Sequence, residues 1–222
     1  MLKVGLTGGI ASGKTVVGEM FVALGACLVQ ADRIAHELML PGQPVYHEVV
    51  RHFGGSILNR DLSVNRAKLA EAAFGPSTAT PANSAQPAST ASRVQELNRI
   101  VHPAVIRSQD EWMDEMGRQN PHAVAIVEAA LILEAGAAKR FDRLIVVTCD
   151  DDQRAARFAA RQKLDIEAAR KEVARRMAAQ LPEAAKIKAA DYVIDNSASL
   201  DHTREQVREI WKKLSAAARA AY

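Results

Sequence analysis

The stretch Gly8-Gly9-Ile10-Ala11-Ser12-Gly13-Lys14-Thr15 decides the fold, because it fits the spacing G-x-x-x-x-G-K-[ST] without a gap. Just before it, Lys3–Thr7 is short and apolar and predicts a buried strand. Just after it, Lys14–Leu24 carries Val16, Val17, Met20, Phe21 and Leu24 at helical spacing. A strand that passes through such a loop into a helix is the setting in which this motif wraps phosphate. Glycines at 8 and 13 let the backbone bend and turn its N–H groups inward, where side chains would obstruct. The helix beginning near Gly13 adds the positive end of its dipole. In that frame Lys14 reaches the β- and γ-phosphates, and the Thr15 hydroxyl is placed to ligate Mg²⁺. The stretch therefore predicts a nucleoside triphosphate site.

Working outward, further short apolar runs rich in Val, Ile and Leu predict strands at Ala26–Gln30, Ala123–Glu128, Arg143–Thr148 and Asp191–Asp195. Amphipathic helices are expected over Val94–Met116, Asp151–Gln162, Asp165–Gln180 and Leu200–Leu214, with a break or a fresh start at His102-Pro103. Asp151 and Asp165 are suited to cap two of them. Alternating strands and helices predict a parallel α/β sheet covered on both faces. Gly75–Ser92 falls outside the pattern. It has no charge, no aromatic and no large aliphatic residue but three prolines, so it predicts a mobile surface loop rather than a catalytic lid.

The chain has 222 residues, 48% of them hydrophobic and 25% charged, enough for one substantial core and a small subdomain. No apolar run reaches the roughly 18 residues of a membrane span, and neither a repeat nor a secretory leader is visible. Cys27 and Cys149 both adjoin apolar runs and are expected as buried, reduced thiols in a cytoplasmic protein. A net charge of +3 is too balanced to imply nucleic acid. The basic residues Arg154, Arg157, Arg161, Arg170, Lys171, Arg175 and Arg176 crowd into one stretch. They read either as a solvated helix face or as a surface for a polyanionic small molecule.

Other loop-bearing nucleotide enzymes are narrowed by absence. No Asn is followed by Lys, so the guanine-reading N-K-x-D is missing, and L-S-G-G-Q does not occur. Size and a single phosphate loop favour a small-molecule kinase. Asp32, just past the second strand, is placed either to accept a proton from an attacking hydroxyl or to cap a helix over Arg33–Met39. Glu128 ends the third strand, either as a Mg²⁺-directed acid or as a solvated turn residue. Arg157 and Arg161, four apart after the fourth strand, share a face able to clamp transferring phosphate.

Taken in order, these features resemble the dephospho-CoA kinase family. The resemblance runs from Lys3 to about Val207. Its landmarks are Gly5-Leu6-Thr7-Gly8-Gly9-Ile10 through Thr15, Ala31–His36, Leu97–Pro103, Glu128–Glu134, the Arg157/Arg161 pair, Arg176–Pro182, Lys186 and Ala190–Asn196. It implies an α/β fold: a P-loop nucleotide-kinase-like parallel five-stranded sheet in the order 2-3-1-4-5, with a helical substrate-binding insertion and a small lid. One domain would span 1–222, with a core at about 1–30, 120–150 and 190–222. A helical region for the CoA substrate would occupy 31–119, including the loop 75–92, and a lid 151–189. The implied reaction is ATP-dependent phosphorylation of the ribose 3′-hydroxyl of dephospho-CoA, the last step of CoA synthesis. The alternatives are another small-molecule kinase of this fold or a nucleotide-gated binding protein. By position, the backbone of Ala11, Ser12, Gly13, Lys14, Thr15 and Val16 would hold ATP, and Lys14, Asp32 and Arg157 would be catalytic, Asp32 as the base. Thr15, with Glu128 through water, would hold Mg²⁺. The expected partners are ATP and dephospho-CoA, with no nucleic acid and no membrane, on a monomer or weak homo-oligomer.

The chain departs from the family pattern at three places. Gln30-Ala31-Asp32 stands where D-A-D is usual, Glu128-Ala129-Ala130-Leu131-Ile132-Leu133-Glu134 replaces D-x-P-L-L-x-E, and 75–92 lengthens a connection that is usually short. His102-Pro103 falls in the segment that helps form the substrate region.

Overall fold

The structure is a computed structural model and describes residues 1–74 and 88–220. Its strands are β1 (Leu2–Gly8), β2 (Cys27–Gln30), β3 (Val124–Glu128), β4 (Arg143–Thr148) and β5 (Tyr192–Asp195). Its helices are α1 (Lys14–Ala23), α2 (Ala31–Leu38), α3 (Pro44–Phe53), α4 (Arg66–Phe74), α5 (Ala88–Gln119), α6 (Asp151–Gln162), α7 (Ile166–Ala178), α8 (Glu183–Ala189) and α9 (Leu200–Ala220). The chain divides into two compact units, Met1–Gln30 with Trp112–Tyr222, and Ala31–Glu111.

The first unit holds the sheet. All five strands are parallel, in the order β2-β3-β1-β4-β5, as the resemblance implied. Residues alternate between its two faces. Leu2, Val4 and Leu6 of β1, Val124 and Ile126 of β3, and Ile145 and Val147 of β4 join one buried cluster with Val17 and Phe21 of α1 and Val207, Ile210, Leu214 and Ala218 of α9. The α9 positions recur three and four apart, which puts them on one stripe. On the other face Ala125 and Val127 pack with Met113 and, partly buried, Val29, Trp112 and Phe141. The register sets Gln30 opposite Glu128, Gly8 opposite Val147 and Thr148 opposite Asp195, so these strand ends gather at one edge of the sheet. In parallel sheets that carboxyl edge is where ligands bind.

The second unit is helical. Helix α3 buries Val45, Tyr46, Val49 and Phe53, and the Tyr46 hydroxyl donates to the Leu62 carbonyl at 2.7 Å. A short 3-10 turn, Gly55–Ile57, follows, and both α3 and α4 pack against it.

Several boundaries differ from those read in the sequence. Helix α5 runs unbroken through Pro103, where a break was expected. Proline removes one backbone donor and crowds the preceding turn at about 3 kcal/mol. Here the buried face continues across it, with Val101, Ala104 and Val105 all buried, and that packing offsets the cost. The expected loop 75–92 lies outside the described residues over 75–87. Over 88–92 it is the first part of α5, consistent with the helix propensity of its alanines. The expected helix 165–180 ends at Ala178, and α8 starts just after Pro182, which restricts the residue before it to extended backbone. Asp165 caps α7, accepting from the Ala168 N–H at 2.9 Å. For α6 the cap position is Asp150, one residue before the Asp151 expected there, and its side chain makes no capping bond. Cys149 is buried, whereas Cys27 is only half-buried at the start of β2, and both are free thiols. Among the described residues no helix is long and apolar enough to cross a membrane.

Candidate active site

The phosphate loop leaves β1 at Gly8 and enters α1 at Lys14. Two of its glycines are required by what surrounds them. A Cβ on Gly8 would stand 2.2 Å from the Val147 carbonyl oxygen, and Gly13 has φ +92° with space for a Cβ filled by the Asn196 amide at 2.1 Å. Ala11 also takes a left-handed φ of 54°, a strained choice for a residue with a Cβ. Helix α1 has no side-chain cap bond at Gly13 and no acid in its first turn, and it presents its positive end at the loop.

Lys14 lies half-buried on this loop, its Nζ donating to the carbonyls of Gly8 at 3.0 Å and Gly9 at 2.9 Å. Beside it, the Thr15 hydroxyl donates to Glu128 Oε1 at 2.8 Å, and the Gln30 amide donates to Glu128 Oε2 at 3.0 Å. Glu128 is buried, at 8% exposure, so its carboxylate is fixed by these two donors. The sequence reading placed Thr15 and Glu128 at this spot, and the structure brings them together. Gln30, known from the sequence only as a departure, proves to be the group that orients Glu128. Oxygen donors from one hydroxyl and one buried carboxylate suit a hard divalent cation that also takes phosphate oxygens. Among the described residues no three His, Cys, Asp or Glu side chains gather as a self-sufficient metal site.

The arginines of α6 part company. Arg154 is fully buried. Its Nη1 donates to the Ile10 carbonyl at 3.0 Å, and its Nη2 to the Cys149 carbonyl at 2.9 Å and to Glu183 at 3.0 and 3.1 Å. Its Nε stands 3.5 Å from Asp151 Oδ1. This residue braces the loop from behind, a role the linear sequence did not suggest. Arg157 is half-buried against the other end of the loop, with Nη2 on the Asn196 carbonyl at 2.9 Å and Nη1 at 3.5 Å from the Ser12 carbonyl. Arg161 is exposed and lies over the Phe158 ring at 5.7 Å. Phe158 in turn packs with Ala169 and Val173, and with Ile10 and Ala11 of the loop, so α6 and α7 rest on it.

Sequence reasoning missed two further supports. Lys186, almost fully buried, has its Nζ 2.8 Å from Glu134 Oε1 and 2.9 Å from the Gln180 side-chain oxygen. Asn196, 2% exposed, donates its side-chain amide to the Ser12 carbonyl at 2.8 Å. Both belong to landmarks of the resemblance, but no role had been read for them. Asn196 follows the last residue of β5, and the strand-end rule applied to Asp32 and Glu128 would have flagged it. Burial pushes the Cys149 thiol above its usual range, against the pull of Arg154 and Arg157. A reactive thiolate there is disfavoured.

Asp32 belongs to the helical unit. It is the second residue of α2, exposed, inside the first turn rather than at a cap. The capping alternative for it is thereby corrected: the helix begins at Ala31, not at Arg33. His102 is exposed in the middle of α5.

With this geometry in place, comparison with known proteins is direct. The model of the dephospho-CoA kinase family matches residues 2–202. The dephospho-CoA kinase of Corynebacterium jeikeium is 37% identical over 211 residues, covering 95% of this chain and 98% of that protein. That of Moorella thermoacetica is 35% identical over 214 residues, covering 96% and 92%. A crystal structure from Thermus thermophilus superposes with a TM-score of 0.72 at 26% identity, over 95% of this chain and 96% of that one. Motif, sheet order and near-complete coverage agree, and the chain belongs to the dephospho-CoA kinase family.

Proposed function

We propose that this enzyme transfers the γ-phosphoryl group of ATP to the ribose 3′-hydroxyl of dephospho-CoA, giving ADP and CoA. The observation that carries the reading is the arrangement at the sheet edge: Lys14 on the loop, and Thr15 hydrogen-bonded to a buried Glu128 that Gln30 holds in place. It stands in a chain whose curated relatives are named for this reaction.

The backbone of Ala11–Val16 binds the phosphates of ATP through its N–H groups. Lys14 exchanges the carbonyls of Gly8 and Gly9 for β- and γ-oxygens, moving a charge it already holds at the loop. Thr15, with Glu128 acting through water, would hold Mg²⁺, which would supply neutralisation of phosphate charge. Arg157, already against Ser12 and Gly13, stabilises charge on the transferring group. Asp32 is the base. It follows Gln30, the end of β2, by two residues in the chain and is exposed, so its carboxylate is open to a substrate hydroxyl. The 3′-oxygen attacks the γ-phosphorus in line as the bond to ADP breaks, and Asp32 takes the hydroxyl proton. The helical unit Ala31–Glu111 receives dephospho-CoA, and α6 to α8 form the lid over the nucleotide.

Asp32→Asn keeps the shape and removes the base. The expected outcome is nucleotide affinity like that of the unaltered enzyme, with kcat lowered about 10²- to 10⁴-fold. An unchanged kcat would remove Asp32 from the chemistry.

A further inference from the structure

Asn196 uses every polar group it has, and it uses them on the phosphate loop and its supports. Its N–H donates to the Thr148 carbonyl at 2.9 Å, tying the end of β5 to the end of β4. Its carbonyl accepts from Arg157 Nη2 at 2.9 Å, its side-chain oxygen accepts from the Thr203 hydroxyl at 2.9 Å, and its amide nitrogen donates to the Ser12 carbonyl at 2.8 Å. Thr203 is fully buried, and its hydroxyl lies closer to Asn196 than to its other acceptor, the Ser199 carbonyl at 3.3 Å. The Ser12 carbonyl can only accept, so the amide nitrogen must face it, and the side-chain oxygen is left facing Thr203, whose hydroxyl holds it there.

The consequence follows from peptide geometry. The Ser12–Gly13 peptide is trans and planar, so its C=O and its N–H point in opposite directions. A donor that pins the Ser12 carbonyl on one side thereby fixes the Gly13 N–H on the other. The fit is close enough to exclude any side chain at residue 13, since a Cβ there would lie 2.1 Å from the Asn196 amide nitrogen. We infer that Asn196, oriented by Thr203, is a positioning residue that presets the Gly13 N–H for the nucleotide's phosphates. The inference rests on the phosphate-loop reading given above. It assigns to α9 and the β5 end a part in nucleotide affinity that neither element shows in its own sequence.

The test uses the full-length enzyme, with ADP as the binding probe and steady-state kinetics for both substrates. Asn196→Asp preserves size but loses the donor, and Thr203→Val preserves shape but frees the amide to turn. For Asn196→Asp the dissociation constant for ADP and the KM for ATP should rise about 5- to 100-fold, the range for a buried acceptor that loses its nearest donor, with Arg157 Nη1 farther off at 3.5 Å. The KM for dephospho-CoA should stay within about twofold. Thr203→Val should move the same constants in the same direction by less. Thermal melting is measured alongside, and if Asn196→Asp does not fold, Thr203→Val alone decides. Unchanged ADP affinity in a folded variant would overturn the inference, as would an equal rise in both KM values, which marks general loosening. If the unaltered enzyme itself failed to bind ADP, the phosphate-loop reading would fall and this inference with it.

Discussion

On α6, Arg154 is fully buried, with its guanidinium shared among the Ile10 carbonyl, the Cys149 carbonyl and Glu183. On α7, Arg175 and Arg176 stand largely exposed with Glu172 between them, at 2.8 and 2.6 Å. Both groups belong to one basic stretch of sequence, and residue type does not separate them. Their surroundings do. Out of water, each bond of Arg154 replaces hydration that is no longer available to it, so losing the side chain removes the donor that two backbone carbonyls and the partly exposed Glu183 share. In water, the α7 pairs exchange one set of partners for another at little net gain. Within one stretch, Arg154 is an internal brace that fits neither reading, while the α7 arginines stand on a solvated face.

The sharpest way to break this contrast is Arg154→Ala. A stability loss of about 3–5 kcal/mol is expected for a buried charged partner, or a melting temperature lower by roughly 6–20 °C for a chain of this size. Arg154→Lys should recover only part of it, because an ammonium cannot span acceptors on three sides as the planar fork does. A melting temperature unmoved by Arg154→Ala would put this residue with the α7 arginines.

Arg157→Ala tests the intermediate case, since its side chain is half-buried at the loop. The expected result is a kcat lower by about 10²-fold, the scale for one charge-stabilising donor, with a much smaller change in melting temperature than for Arg154. A fall in melting temperature with kcat intact would make Arg157 a brace like its neighbour.

The smallest effects belong to α7. Alanine at Arg175 or Arg176 should cost no more than about 1 kcal/mol in denaturant unfolding. The same cluster carries a pH signature. The hydrogen bond from Arg175, with help from Arg176, holds the Glu172 carboxyl down at about 2, below its ordinary 4.5. A carboxyl lowered by folding stabilises fully above its unfolded value and stops doing so as pH falls through its folded value. The stability difference between the unaltered chain and Glu172→Gln should thus be level above pH 5 or so and shrink between about pH 4.5 and 2. A difference that grew on acidification would contradict the pairing.

How much of this the sequence disclosed follows the range of the interactions. The loop, the five strands and the Thr15–Glu128 meeting were legible because each depends on local pattern or on the rule that strand ends gather at one edge. Arg154 was not, because its burial is set by Glu183 on another helix and by a loop some 144 positions away. Asn196 and Ser12 are 184 positions apart, and although its place after β5 puts Asn196 at the ligand edge, nothing local names Ser12 as its partner. The break expected at Pro103 is the opposite kind of miss: the local rule was sound, and a continuous buried face outweighed it.

Phosphoryl transfer to one acceptor is read directly as ADP release in the presence of ATP and Mg²⁺. With dephospho-CoA, adenosine, AMP and shikimate offered separately, release should depend on dephospho-CoA and yield a product carrying the new phosphate at the ribose 3′ position. Preferred use of another acceptor, or ADP release indifferent to any acceptor, would contradict the proposed function.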